Sequence, residues 1–242
     1  GTLVLRDGVI VAVGEKVSAP PDAVVRDLSG KTIYAGFIDG YSELAVPAPK
    51  GGGYWNDEVR PDAMAATVFA ADEKANEALR RQGITARIVA PKDGTIRGIS
   101  ALVTTGENKF MLRERAALHV NLMPDRHNHD HYPASPMGAV ALVRQALLDA
   151  DWHRRAWEAY ESSKEPLARP QRSKTMTALE PFAQGRELVL FEAQDELYAL
   201  RADQIAQEFQ LKIAIRGSGN EYRRLDAIAA AGWPVIVPLD FP

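Results

Sequence analysis

The feature that most constrains this chain is the rhythm of its last third. The apolar run ELVLFEA (187–193) leads into a helical pattern over 196–209, then LKIAIRG (211–217), a second helical pattern over 221–231, and WPVIVPL (233–239). Strands that alternate with helices, and that are apolar on both faces instead of every second residue, belong in a parallel sheet covered on both sides. Sites in such folds lie at the C-terminal ends of the strands. That makes the last residues of each apolar run the places to search for chemistry.

Upstream the elements are shorter and more varied. Residues 3–14, LVLRDGVIVAVG, alternate around Asp7-Gly8, and Asp-Gly between apolar runs is a strong hairpin signal. Turn chemistry at Pro20-Pro21-Asp22 and at Ser29-Gly30 extends this into an opening of short antiparallel β pieces. Residues 45–60 read as a loop rich in Gly and Pro. Residues 61–82 read as a helix, with Pro61 and Asp62 in its first turn and Gly83 as its stop. ITARIVAP, ISALVTT and AALHVNL are strand candidates. The longest helix spans 137–161, where Val140, Val143, Leu147, Ala150 and Trp157 approximate one apolar stripe. Residues 162–180 are polar and broken by proline, which suggests a mobile connection.

Composition excludes several classes of function. At 242 residues, 46% hydrophobic and 25% charged, the chain matches a soluble globular protein able to bury a core. A formal net charge of −3 gives no footprint for nucleic acid or an anionic membrane. The absence of cysteine removes disulfides, thiolate nucleophiles and Cys-ligated zinc. No apolar run approaches the ~18 residues of a membrane span. The compartment stays open.

The first strand end with chemical interest is GFIDGYSEL, residues 36–44. Tyr41 and Glu43 share a face of an extended segment, at a spacing from which two metal-binding side chains can grip one ion. A phenol and a carboxylate stand there. This stretch, with LRDGVIVAVG, PPDAVVRDLSGKTIYAGFID and GTIRGISALV, resembles the metal-dependent amidohydrolase superfamily, in particular its imidazolonepropionase-like and dihydroorotase-like branches. The later ADQIAQEFQLKIAIRGSGNEY is similar to that family's fifth and sixth barrel strands and the helix between them. The resemblance covers most of the chain and is most specific over residues 27–40.

It implies an α/β fold: a partial (β/α) TIM-type barrel over residues 35–242, with a small N-terminal β-rich (sandwich) segment over 1–34. It also implies hydrolysis of C–N bonds in cyclic amides or related small molecules, at zinc or another divalent metal. In the family a motif like PGFIDxHxH ends the first barrel strand; its histidines fall on Tyr41 and Glu43 here. A third expected histidine falls on Glu192 of VLFEA, and a fourth on or beside Gly217, which follows Arg216. No lysine stands at a strand end as a bridging ligand. Neutral imidazoles and carboxylates build such zinc sites, whereas carboxylates alone suit a harder, weaker-bound ion. The metal ligands thus read as lost, and no cofactor is expected unless the family activity is retained.

Other clusters invite two readings each. In MPDRHNHDHYP, residues 123–133, His127, His129 and His131 alternate, so an extended segment would present three imidazoles to one metal ion; a polar loop would leave them solvated. RGSGNE, residues 216–221, is either a backbone cradle for phosphate or a plain βα turn. KGGGYW, residues 50–55, is either a lid or a surface linker. His153 reads as a helix-surface residue. No G-x-S-x-G or H-E-x-x-H occurs.

Two functions follow: an amidohydrolase-like enzyme, or a catalytically inactive pseudoenzyme that keeps the barrel as a small-molecule-binding or scaffold domain. The expected partner is a small-molecule ligand, with no nucleic acid and no membrane, and a homo-oligomer is left open. About six or seven strand candidates against a barrel's eight suggest a fragment of a longer protein.

Overall fold

The structure is a computed structural model that describes residues 1–48, 53–106, 111–124 and 131–239. It divides into two compact units, Gly1–Ala35 and Gly36–Pro242.

In the first unit β1 (Thr2–Arg6) and β2 (Val9–Gly14) pair antiparallel. The turn needs two consecutive left-handed residues, and Asp7 (φ 53°) and Gly8 (φ 76°) supply them. Pairing ends with this hairpin. Residues 15–35 form turns, Ala23 N–H to Pro20 O and Lys31 N–H to Leu28 O, and no strand. The expected series of antiparallel pieces, KTIYA among them, is corrected on this point. A strand exists only where a neighbour takes its hydrogen bonds. Val24, Val25 and Tyr34, 74–88% exposed, find no such neighbour among the described residues.

Among the described residues the second unit holds two sheets. One orders β3 (Phe37–Leu44), β4 (Ile84–Pro91), β6 (Ala101–Thr104) and β7 (Met111–Arg113), with β3 parallel to β4. The other orders β11 (Val235–Ile236), β10 (Lys212–Arg216), β9 (Leu188–Glu192), β8 (Leu118–Asn121) and β5 (Ile96–Ile99). In it β8 through β11 run parallel, as the apolar runs require, and β5 is antiparallel to β8. At Gly40 of β3 the two sheets meet, because a Cβ there would stand 2.9 Å from Ile236 Cγ2 of β11.

Among the described residues five α-helices accompany the sheets: α1 (Glu73–Arg81), α2 (Pro136–Ser162), α3 (Lys174–Ala183), α4 (Glu196–Phe209) and α5 (Leu225–Ala231). The starts of α1, α2, α3 and α4 carry the chemistry expected of caps. Ser135 accepts from Gly138 N–H ahead of α2, and Asp195 accepts from Leu197 and Tyr198 N–H ahead of α4. The helix expected over 61–82 shrinks to α1. Residues 58–64 are drawn instead onto β5, with Arg60 N–H to Ile96 O at 2.8 Å and Ile99 N–H to Ala63 O at 2.7 Å. The polar connection expected over 162–180 ends at Ser173, whose side chain caps α3. Met176, Leu179 and Phe182 of α3 then bury one stripe.

The main core lies on one face of the five-stranded sheet, under α2, α3 and α4. It takes Leu118 and Val120 from β8, Val189 and Phe191 from β9, Ile213 and Ile215 from β10, and Ile96 and Ile99 from β5. Among the described residues no helix is long and apolar enough to cross a membrane.

Candidate functional site

Strand alternation decides what faces the other way. Since residues 118 and 120, 189 and 191, and 213 and 215 enter the helix-covered core, His119, Leu190, Glu192, Ala214 and Arg216 project from the opposite face. Leu190 and Ala214 are buried and floor that face. Above them the last residues of β9 and β10 are Glu192 and Arg216. β5 is antiparallel, so Arg97, near its beginning, arrives at the same end as β8's last residues. From β3 come Tyr41 and Glu43.

These side chains converge. Arg97 Nη1 donates to Glu192 Oε1 at 2.7 Å and to Tyr41 Oη at 2.9 Å, and lies 3.6 Å from Glu43 Oε1. Tyr41 in turn donates to Glu43 Oε1 at 2.9 Å. Arg216 stacks its guanidinium 3.9 Å from the centre of the Tyr41 ring and reaches Glu192 Oε2 at 3.5 Å. The His119 ring lies 5.7 Å from that of Tyr41, with Nδ1 3.9 Å from Glu192 Oε1, and neither ring nitrogen has a hydrogen-bond partner among the described residues. Depth is graded across the cluster: His119, Glu192 and Arg97 are 0, 3 and 10% exposed, whereas Arg216 and Glu43 are 38 and 50% exposed.

The electrostatics follow from that gradient. Burial, reinforced by the Glu192 charge, raises the Tyr41 phenol far above its ordinary range, so it stays a neutral donor. Burial pushes the Glu192 carboxyl up, while the guanidiniums of Arg97 and Arg216 pull it back. Burial, with Arg97 and then Arg216 adding repulsion, lowers His119 to about 3. A histidine held neutral in the fold binds its proton more readily when unfolded. Its contribution is therefore complete above the ordinary value of 6.5 and is lost as pH falls toward 3. The raised Glu192 works in the opposite sense just above its ordinary value. The net expectation is acid destabilisation on the order of 2 kcal/mol between about pH 6.5 and pH 4.5, at ~1.36 kcal/mol per pH unit less the Glu192 offset. Urea titrations of the parent and His119→Gln at both pH values check it, and equal slopes in the two proteins would remove His119 as the cause.

Four of the five residues expected at this mouth, Tyr41, Glu43, Glu192 and Arg216, thus meet at one place. Gly217, the fifth, is spoken for: a Cβ on it would lie 2.6 Å from Glu221 Oε1. That carboxylate also accepts from Ser218 N–H at 2.6 Å and Gly219 N–H at 2.9 Å, so the cradle foreseen in RGSGNE holds the chain's own anion. Arg97 and His119 were not foreseen. Their signal in the sequence is a single polar residue inside an apolar strand, Arg97 in TIRGI and His119 in ALHVNL.

The remaining clusters fall elsewhere. His127 and His129 lie outside the described residues, and His131 is exposed. Among the described residues no three His, Cys, Asp or Glu side chains gather as a metal group. His153 is corrected from helix surface to buried: Nδ1 pairs with Glu180 Oε1 at 2.8 Å, and Nε2 accepts from Ser173 N–H at 3.3 Å. In KGGGYW, Tyr54 donates to Asp149 Oδ2 at 2.5 Å, and the exposed Trp55 stacks against Tyr132.

No protein-family model and no curated protein matches the chain. Among solved structures, the crystal structure of an amidohydrolase from Thermotoga maritima MSB8 superposes with a TM-score of 0.81 at 20% identity, covering 98% of this chain and 65% of that one. At this identity the likeness establishes the fold: the chain has an amidohydrolase-like α/β architecture. It spans less than two thirds of that relative's length.

Proposed function

We propose that this chain is an amidohydrolase-like domain, an incomplete (β/α) barrel, that binds a small polar molecule at its strand ends without a catalytic metal. Six strands in two parallel sets and the close approach of β3 to β11 at Gly40 support the barrel reading. The N-terminal unit then corresponds to part of a sandwich.

One observation carries the functional reading. The point on which Tyr41, Glu43 and Glu192 converge holds the Nη1 of Arg97. These donors do not fit a divalent metal. One carboxylate is already ion-paired to two guanidiniums, the phenol is kept protonated, and the positive charge a metal would bring stands there already. What stays accessible is Arg216 and Glu43, 38 and 50% exposed. They offer a guanidinium fork and a carboxylate, a pair suited to a small molecule with both an acidic and a basic or amide group. Hydrolysis of a C–N bond, the other reading, is supported by likeness of fold, and fold alone does not carry function.

Elemental analysis of protein purified without an affinity tag tests this, together with a thermal-shift panel of small amides and amino acids. The expected result is metal well below one equivalent, and a stabilising ligand whose effect disappears in Arg216→Gln. One equivalent of zinc, manganese or iron, with turnover of an amide, would replace this reading with the enzyme.

A further inference from the structure

We infer that Arg97 is a tethered cation: the chain supplies from β5 the positive charge on which the strand-end cluster is built, and removing it opens a latent site for a divalent ion. The inference rests on the metal-free reading above and extends it to one residue and its chemistry.

Three features point to Arg97 as a replacement for an ion in addition to its role as an ion-pair partner. The first is coordination. A single nitrogen, Nη1, sits 2.7 Å from Glu192 Oε1, 2.9 Å from Tyr41 Oη and 3.6 Å from Glu43 Oε1, so three oxygens from two strands surround one positive atom. An ordinary surface arginine spreads its donors over separate acceptors. The second is the orphaned histidine. His119 is fully buried, and among the described residues neither ring nitrogen has a hydrogen-bond partner, although Glu192 Oε1 is 3.9 Å from Nδ1. A buried imidazole without a partner loses its hydrogen bonds to water. Neutral imidazole beside carboxylate is, by contrast, the donor pairing that holds zinc or manganese.

The third feature is delivery. Arg97 does not come from the parallel strands that carry the rest of the cluster. It comes from β5, which runs antiparallel to β8 and is anchored by residues 58–64 on its far side. Gly98, at φ +120° with no room for a Cβ against Ala63 O, lets the backbone press close enough to aim its neighbour inward. A separately anchored strand thus inserts one charge into a site assembled by other elements. With the guanidinium gone, His119, Glu192 and Glu43 can close on an added ion.

The experiment uses the 242-residue chain, tag-free, as parent, Arg97→Ala, and Arg97→Ala with Glu192→Gln. Zinc affinity is read by calorimetry and thermal midpoints are read with and without zinc, manganese or millimolar guanidinium. Arg97→Ala is expected to bind zinc about tenfold or more tighter than the parent, and to gain stability from zinc or guanidinium where the parent gains none. Reading the difference from the parent cancels any contribution of His127, His129 and His131. The gain should vanish in the double variant, which keeps the cavity and removes the charge. If Arg97→Ala is unfolded without added cation while the double variant folds, the buried carboxylate needed its cation and the inference stands. A folded Arg97→Ala with no cation response overturns it, as do failure of both variants to fold and a zinc gain that survives in the double variant. Metal bound to the parent is a separate outcome, which strikes the metal-free reading itself.

Discussion

Glu192→Ala is expected to destabilise the protein by about 3–5 kcal/mol, one of the two largest single-residue effects foreseen here. The loss does not measure the strength of the ion pair, since a buried pair repays little more than its own desolvation. It measures what is left behind. Among the described residues, Arg97, 10% exposed, would keep only the neutral Tyr41 hydroxyl at 2.9 Å and the Glu43 carboxylate at 3.6 Å, and Arg216 would lose its contact at 3.5 Å. Glu192→Gln, which keeps the shape and an acceptor, should cost less. Adding Arg97→Met to Glu192→Ala should restore much of the stability, because an apolar side chain of similar length needs no counter-charge. Urea midpoints of the four proteins decide it. A loss below about 1 kcal/mol in Glu192→Ala, the size typical of an exposed pair, would mean that water already screens this cluster.

Gly98→Ala should cost a comparable amount, about 2–5 kcal/mol, from two sources that act together. The backbone at φ +120° is strained for any residue with a Cβ, and the added carbon would stand 2.2 Å from Ala63 O. That carbonyl cannot retreat without giving up the 2.7 Å hydrogen bond it accepts from Ile99 N–H. Gly219→Ala is the control: φ is +86°, nothing lies within 4 Å of its Cβ position, and only the backbone strain of about 1–2 kcal/mol applies. Equal losses in the two variants would show that residues 58–64 yield readily, and that β5 is not held where Arg97 requires it.

Both substitutions act where local sequence was silent about the outcome. The residues of the second half were legible because burial on both faces leaves one pattern: ELVLFEA, LKIAIRG and WPVIVPL each contain the parallel strand they form. Asp7-Gly8 was legible for a different reason, because its turn needs left-handed backbone that few residue pairs tolerate. Where a segment had two local options, the reading went wrong. Residues 61–72 have helical composition, yet hydrogen bonds to the distant β5 hold 58–64 as turns and isolated bridges against that strand. KTIYA has strand composition, yet no neighbour among the described residues completes its ladder.

The site divides in the same way. Sequence by itself determined that Tyr41 and Glu43 share a face and that Glu192 and Arg216 end neighbouring apolar runs, because strand period and run length are local properties. It could not place Arg97 against them. That contact joins residues 56 and 95 positions apart, from Tyr41 to Arg97 and from Arg97 to Glu192. It depends on an antiparallel strand, on a glycine that lets the strand in, and on a bridge from residues 58–64 that no periodicity announces. Nor could it leave His119 without a hydrogen-bond partner among the described residues, since burial and orphaned nitrogens are properties of a packed interior. Local patterning supplied the carboxylates and the phenol; only tertiary packing, by bringing a buried guanidinium into their midst, decided which cation they hold.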